Sequence, residues 1–255
     1  TKGASHKYVL LAGSDGNYIY DKKGLGTVRC FNHLLSLSKR RRILVCFGLN
    51  YDANMMFRDI PPGLLKELHS TNRVYWLNYS IEYIPRKWLT IKNTKTGVVV
   101  KIYEVFGYFQ SAFIKALEAW DLEPPREIIE GKQLRSDFTE DQFKTILKYC
   151  IKECELLVQL MYSLRSSMYS VDIRPKTWCG AGTVAAALLG KVKPYHKHDN
   201  EYRPEVLEYI LKGYFGGRVE LYKQGKFPDI YNYDIISAYP SEIRNLPDLS
   251  DGTWT

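Results

Sequence analysis

The sequence predicts a mixed α/β fold, and three observations carry that prediction. A short hairpin signal, a helical stretch and a continuous apolar run follow one another at the N-terminal end; a long stretch of helical period begins at Ser111; and a strand-turn-strand pattern returns near the C-terminal end. At 255 residues, with 45% hydrophobic and 25% charged residues, the chain has enough apolar side chains to build a substantial core and is too apolar for a disordered polymer.

The elements follow in order. "KYVLLAGSDGNYIYD" (7–21) places β-branched and aromatic residues on both sides of Ser-Asp-Gly, the signature of two strands joined by a turn. "TVRCFNHLLSLSKRRR" spaces Val28, Phe31, Leu34, Leu35 and Leu37 close to a 3.6 period. It ends in a basic run that suits the negative end of a helix dipole and stays solvated, phosphate contact being the alternative. "ILVCFGL" (43–49) is a continuous apolar run and predicts a central buried strand. "RVYWLNYSIEYIPRKWLTIKN" and "TGVVVKIYEV" predict further antiparallel strands, and the aromatics Tyr103, Phe106, Tyr108 and Phe109 predict core. "SAFIKALEAW" and then the stretch 139–168 are helical, the second starting at Thr139 before two acids. A turn and small-residue helix ("RPKTWCGAGTVAAALLG"), a polar linker, another helix and a final hairpin complete the chain. Domain boundaries are expected at 1–170, 171–205 and 206–255.

A formal charge of +8 points to a polyanionic partner such as nucleic acid or an acidic surface. Five scattered cysteines without a C-x-x-C pair, and five histidines without ligand spacing, argue against a zinc site and for a reduced, cytoplasmic setting. Cys150 and Cys154, four apart, predict one half-buried helix face. No apolar run is long enough for a transmembrane helix, so no membrane partner is expected.

Asp234 in "IYNYDIISAYPSEI" follows an apolar strand, where a carboxylate needs a cation or an elevated pKa; Mg²⁺, or Mn²⁺ in its place, would supply the cation, while capping a helix that begins near Ser237 is the alternative. Asp234, Ser237, Tyr239 and Pro240 form D-x-x-S-x-Y-P, and with them the sequence resembles the palm of family B DNA polymerases, most closely the protein-primed type of phages and linear plasmids. The resemblance implies that Asp234 binds the catalytic metals, that Ile235 and Ile236 offer backbone groups, that Ser237 lies near the triphosphate, and that Tyr239 excludes a 2′-hydroxyl. Ala238 stands where the family usually has leucine. Tyr214, Gly216 and Gly217 in "KGYFGGRVE" resemble the Y-x-G-G motif that contacts template strand in this family, with Arg218 adding charge.

The same resemblance implies an RNase H-like exonuclease domain upstream of a truncated opening of the palm. Tyr51-Asp52 resembles the second exonuclease motif, with Asn50 immediately before it instead of farther upstream. "YCIKE" resembles the third, making Tyr149 the residue that positions water and Glu153, where aspartate is usual, a metal ligand; a solvent-facing Glu153 beside Lys152 is the alternative. The first motif, D-x-E, is absent from the first strand, and Asp121-Leu122-Glu123 comes too late, so the resemblance places that motif before Thr1. The partners implied are template and primer DNA, deoxynucleoside triphosphates and a terminal protein primer. The expected activity is DNA polymerisation with 3′-5′ proofreading in an intact enzyme, and no polymerisation by these 255 residues alone. A stand-alone RNase H-like or DnaQ-like nuclease, and a DNA-binding relic without catalysis, are the alternatives.

Overall fold

The computed structural model describes residues 7–38, 42–126, 128, 139–192, 208, 212, 225 and 238–245. The chain divides into two compact units, Thr1–His196 and Lys197–Thr255.

The first unit opens on the expected hairpin, β1 (Leu10–Ala12) paired antiparallel with β2 (Tyr18–Tyr20). Its turn closes through the Asn17 carbonyl, which accepts from the Gly13 N–H at 2.9 Å. Asp15 accepts from the Asn17 N–H at 3.2 Å, the local side-chain bond that makes Asp a turn former. Gly16 there has φ 78°, which a side chain would resist. Helix α1 (Thr27–Ser36) buries Cys30, Phe31, Leu34 and Leu35, the stripe its period predicts. Its first turn is tied down from a distance: Asp59 accepts the Thr27 N–H at 2.7 Å, and Thr27 Oγ1 accepts the Asp59 N–H at 3.1 Å. The helix ends before the basic run, of which Lys39 to Arg41 lie outside the described residues, and Arg42 forms an ion pair with Asp15 of the hairpin turn at 3.2 Å.

Five strands make the main sheet, in the order β3 (Leu44–Cys46), β7 (Val99–Glu104), β6 (Trp88–Asn93), β5 (Tyr79–Ile84), β4 (Arg73–Trp76). β3 runs parallel to β7 and the remaining neighbours are antiparallel. Alternation holds along β5, where Tyr79, Ile81 and Tyr83 are buried, and along β6, where Leu89 and Ile91 are. The apolar run 43–49 corrects the expectation of a central buried strand. It yields a three-residue strand at the end of the sheet with half-buried side chains, because Gly48, at φ 88°, turns the chain into a helix at once. That helix is α2 (Leu49–Met56), followed by α3 (Pro62–Thr71). Phe31 meets Phe57 and Tyr79 edge to face at the centre of this first core.

A second core forms where the period changes. Helices α4 (Phe106–Phe109) and α5 (Phe113–Glu118) pack with the 28-residue α6 (Phe143–Ser170) around Val105, Leu117, Leu160 and Trp178. The helical stretch starts at Thr139 as expected, with one refinement: a 3-10 turn, Glu140–Gln142, precedes α6, and Gln142 reaches back to accept the Thr139 N–H at 3.1 Å. Tyr103, Tyr108 and Phe109 pack on this core as expected, while Phe106 is 42% exposed. α7 (Ala181–Val192) is the small-residue helix. Gly107 and Gly180 bring α4 and the turn before α7 into backbone contact, where a Cβ on Gly107 would sit 2.9 Å from the Cys179 carbonyl oxygen.

In the second unit, α8 (Ala238–Asn245) is described, and Lys212 pairs with Glu208 at 2.6 Å one helical turn apart. The hairpin expected before α8 lies outside the described residues. Among the described residues, no helix is long and apolar enough to cross a membrane.

Candidate functional site

Strand β3 delivers the chain to Gly48, and α2 begins there because a buried acid holds its N-terminus. Glu104 lies on β7 as the register partner of Cys46 and is 4% exposed. One of its oxygens accepts the Gly48 N–H at 3.0 Å and the Phe106 N–H at 2.9 Å, and the other accepts the Leu49 N–H in a short bond. Backbone amides at a helix start have no partner inside the helix, and a carboxylate satisfies them with favourable charge. Tyr83 adds a second anchor by donating to Asn50 Oδ1 at 2.7 Å, which gives Asn50 a role joining α2 to β5.

These anchors place Asp52 in the first turn of α2, half-buried. Its Oδ1 accepts from the Tyr8 hydroxyl at 3.0 Å, and its Oδ2 accepts from the Cys46 thiol at 3.5 Å. Tyr8 is 8% exposed; burial and then the Asp52 charge push its hydroxyl well above the usual range. The Cys46 thiol moves the same way, through burial, Asp52 and Glu104. Both donors therefore face Asp52 in their neutral, protonated forms.

Helix α6 supplies the other acid. Tyr149 is buried in the second core, and Glu153 stands one turn farther along, half-buried. Cys154 beside it donates to the Ala12 carbonyl of β1 at 3.6 Å, so α6 lies against the hairpin strand that also leads from Tyr8. Burial pushes the Cys154 thiol up to about 12, and Glu153, Asp52, Asp15 and Glu155 add to the shift. Asp52 and Glu153 thus both act on the Cys154 thiol.

This donor set does not fit a two-metal nuclease centre, which needs several carboxylates aimed at a shared gap. Asp52 accepts from a neutral donor on each of its oxygens, and Glu104 spends both of its oxygens on backbone amides. Among the described residues, no group of three or more His, Cys, Asp or Glu side chains could hold a metal ion.

The polymerase-type residues fall mostly elsewhere. Tyr214, Gly216, Gly217, Arg218, Asp234, Ile235, Ile236 and Ser237 lie outside the described residues. Tyr239 occupies the first turn of α8 and is 67% exposed, with Pro240 beside it where a missing N–H costs no helical bond.

Glu104 and Tyr8 were not foreseen from sequence. A signal for Glu104 existed: it ends the apolar strand "VVVKIYE", the same circumstance that singled out Asp234. Nothing near Tyr8 in sequence points to Asp52.

A mixed α/β unit built on this five-stranded sheet is consistent with an exonuclease-like domain of a family B DNA polymerase. A family model described as DNA polymerase type B, organellar and viral, matches residues 31–248, and the chain belongs to that family. The match runs through Asp52, Tyr149, Glu153, Tyr214 to Arg218, and Asp234 to Tyr239. Comparison with curated proteins and with solved structures returned no match.

Proposed function

We propose that this chain forms the exonuclease-type unit and the opening of the palm of a replicative DNA polymerase of the protein-primed kind. Its partners are template and primer DNA, deoxynucleoside triphosphates and a terminal protein whose hydroxyl starts the new strand. The observation that carries this reading is the run Asp234, Ser237, Tyr239, Pro240, lying inside a family match that extends over residues 31–248.

In the reaction the primer 3′-oxygen forms a bond to the α-phosphorus of the incoming nucleotide, the bond to pyrophosphate breaks, and the primer hydroxyl loses its proton. Mg²⁺ or Mn²⁺, when bound, lowers the cost of the negative charge that gathers on these oxygens. From this chain, Asp234 contributes one carboxylate toward that ion. The amides of Ile235 and Ile236 and the Ser237 hydroxyl orient the triphosphate by hydrogen bonding. Tyr239, exposed at the head of α8, presents its ring to the sugar and leaves no room for a 2′-hydroxyl. Tyr214 and Arg218 hold the template strand by stacking and charge, and Gly216 and Gly217 let the backbone approach phosphate.

The test is primer extension by the polymerase that contains this chain. Asp234→Ala is expected to lower extension by at least about a thousandfold while DNA binding persists. Tyr239→Ala is expected to admit ribonucleotides at least about tenfold more readily, the scale of a single steric contact. Full extension by the Asp234 variant would remove this residue from the reaction.

A further inference from the structure

We infer that Asp52 is the centre of a hydrogen-bonded lock that joins three pieces of chain, and not a metal ligand of a hydrolytic centre. The inference rests on the family membership of the chain and is independent of the chemistry proposed for Asp234.

Two acids stand at the end of the sheet with hydrogen bonds that show what they hold, Glu104 on β7 and Asp52 on α2. Glu104 is committed to three backbone amides that start α2. Asp52 receives the Tyr8 hydroxyl on one oxygen and the Cys46 thiol on the other, at 3.0 and 3.5 Å. Tyr8 belongs to the segment entering β1, Cys46 to the last position of β3, and Asp52 to α2, so one carboxylate joins three pieces of chain. Tyr8 also accepts the Leu25 N–H through its carbonyl at 2.7 Å, which extends the lock to the approach of α1. Cys154, next to Glu153 on α6, donates to the Ala12 carbonyl of β1.

Hydrolysis of a phosphodiester with two metal ions requires carboxylate oxygens from separate elements, turned toward a common gap that water and the scissile phosphate can enter. Here the position beside Asp52 is filled by a tyrosine with 8% of its surface exposed. A buried tyrosine that donates to a carboxylate contributes stability, since charge-assisted bonds are stronger than neutral ones. The same contact occupies lone pairs that a hydrolytic site would turn outward.

The experiment uses the full chain and three readouts on wild type, Asp52→Asn and Tyr8→Phe. A 5′-labelled single-stranded oligonucleotide is incubated with Mg²⁺ or Mn²⁺, and its 3′ shortening is expected to be equal in wild type and Asp52→Asn. Thermal unfolding is expected to show Tyr8→Phe melting roughly 3–10 °C below wild type, the loss of one charge-assisted bond. Mn²⁺ is expected to leave the difference in Tm between wild type and Asp52→Asn unchanged. Metal-dependent shortening that Asp52→Asn abolishes would overturn the inference, as would a Tm that Mn²⁺ raises in wild type but not in Asp52→Asn. An unchanged Tm in Tyr8→Phe would overturn the lock itself. None of these outcomes alters the expectation for Asp234 in primer extension.

Discussion

Replacing Glu104 by glutamine removes a charge while almost preserving shape, which isolates what the buried carboxylate does. In the native structure its two oxygens take three backbone donors, from Gly48, Leu49 and Phe106. An amide can offer one oxygen, so its NH₂ group must face at least one of those N–H groups as donor against donor. A hydrogen bond to a charged group is worth about 1.5–3 kcal/mol, and a buried donor left without acceptor costs about 1–3 kcal/mol. These terms overlap, so the net loss is set at about 2–4 kcal/mol, a large share of the roughly 5–15 kcal/mol that holds a domain folded. With a urea dependence of about 2 kcal/mol per molar, the unfolding midpoint should fall by about 1–2 M at unchanged slope. Tryptophan fluorescence can follow the transition, since Trp88 stands on β6 of the same sheet. Hydrogen exchange should quicken at the first turn of α2 before it does on β5 and β6. A midpoint within about 0.3 M of wild type, with unchanged exchange over α2, would refute the role assigned to Glu104.

Three further outcomes follow from other contacts. Cys30 is fully buried, and burial followed by the Asp59 charge raises its thiol from 9.0 to about 11. Because the folded value is the higher one, its contribution is complete below pH 9 and fades as pH rises toward 11, by at most about 2–3 kcal/mol; Cys30→Ala should flatten that alkaline loss in thermal melts. Glu82 is held below its ordinary range by Arg73 and then by the Trp88 indole N–H, which donates at 2.8 Å. A lowered carboxyl stabilises above its ordinary value of 4.5 and loses that contribution as pH falls, so Glu82→Gln should reduce the acid dependence of Tm between pH 6 and 3. Gly107→Ala should cost about 1–3 kcal/mol in urea unfolding, because its Cβ would stand 2.9 Å from the Cys179 carbonyl oxygen and 3.3 Å from Gly180 Cα, both backbone atoms that cannot yield alone.

Much of the architecture was legible before any coordinates. α1 and most of α6 follow from apolar spacing, and β5 and β6 from alternation, because a half-buried element must present one face to the core and the period records which. The first hairpin was legible from Ser-Asp-Gly, whose bonds are local. The misreadings occurred where distant chain intervenes. The run 43–49 has the composition of an interior strand, yet three residues pair and the rest turns under the hold of Glu104, some 55 positions away. The start of α1 depends on Asp59, 32 positions from Thr27, and no local cap announces it.

The sequence by itself determined that the chain is a mixed α/β protein of the type B polymerase family, because period, turn chemistry and the D-x-x-S-x-Y-P spacing are properties of neighbouring residues. It also singled out Asp52 and Glu153. The tertiary structure decided what surrounds them. Tyr8 reaches Asp52 across 44 positions, Cys46 approaches from the end of β3, and Cys154 of α6 bonds to the backbone of β1. A carboxylate's chemistry is set by the donors folding brings to its oxygens, and no spacing along the chain encodes that.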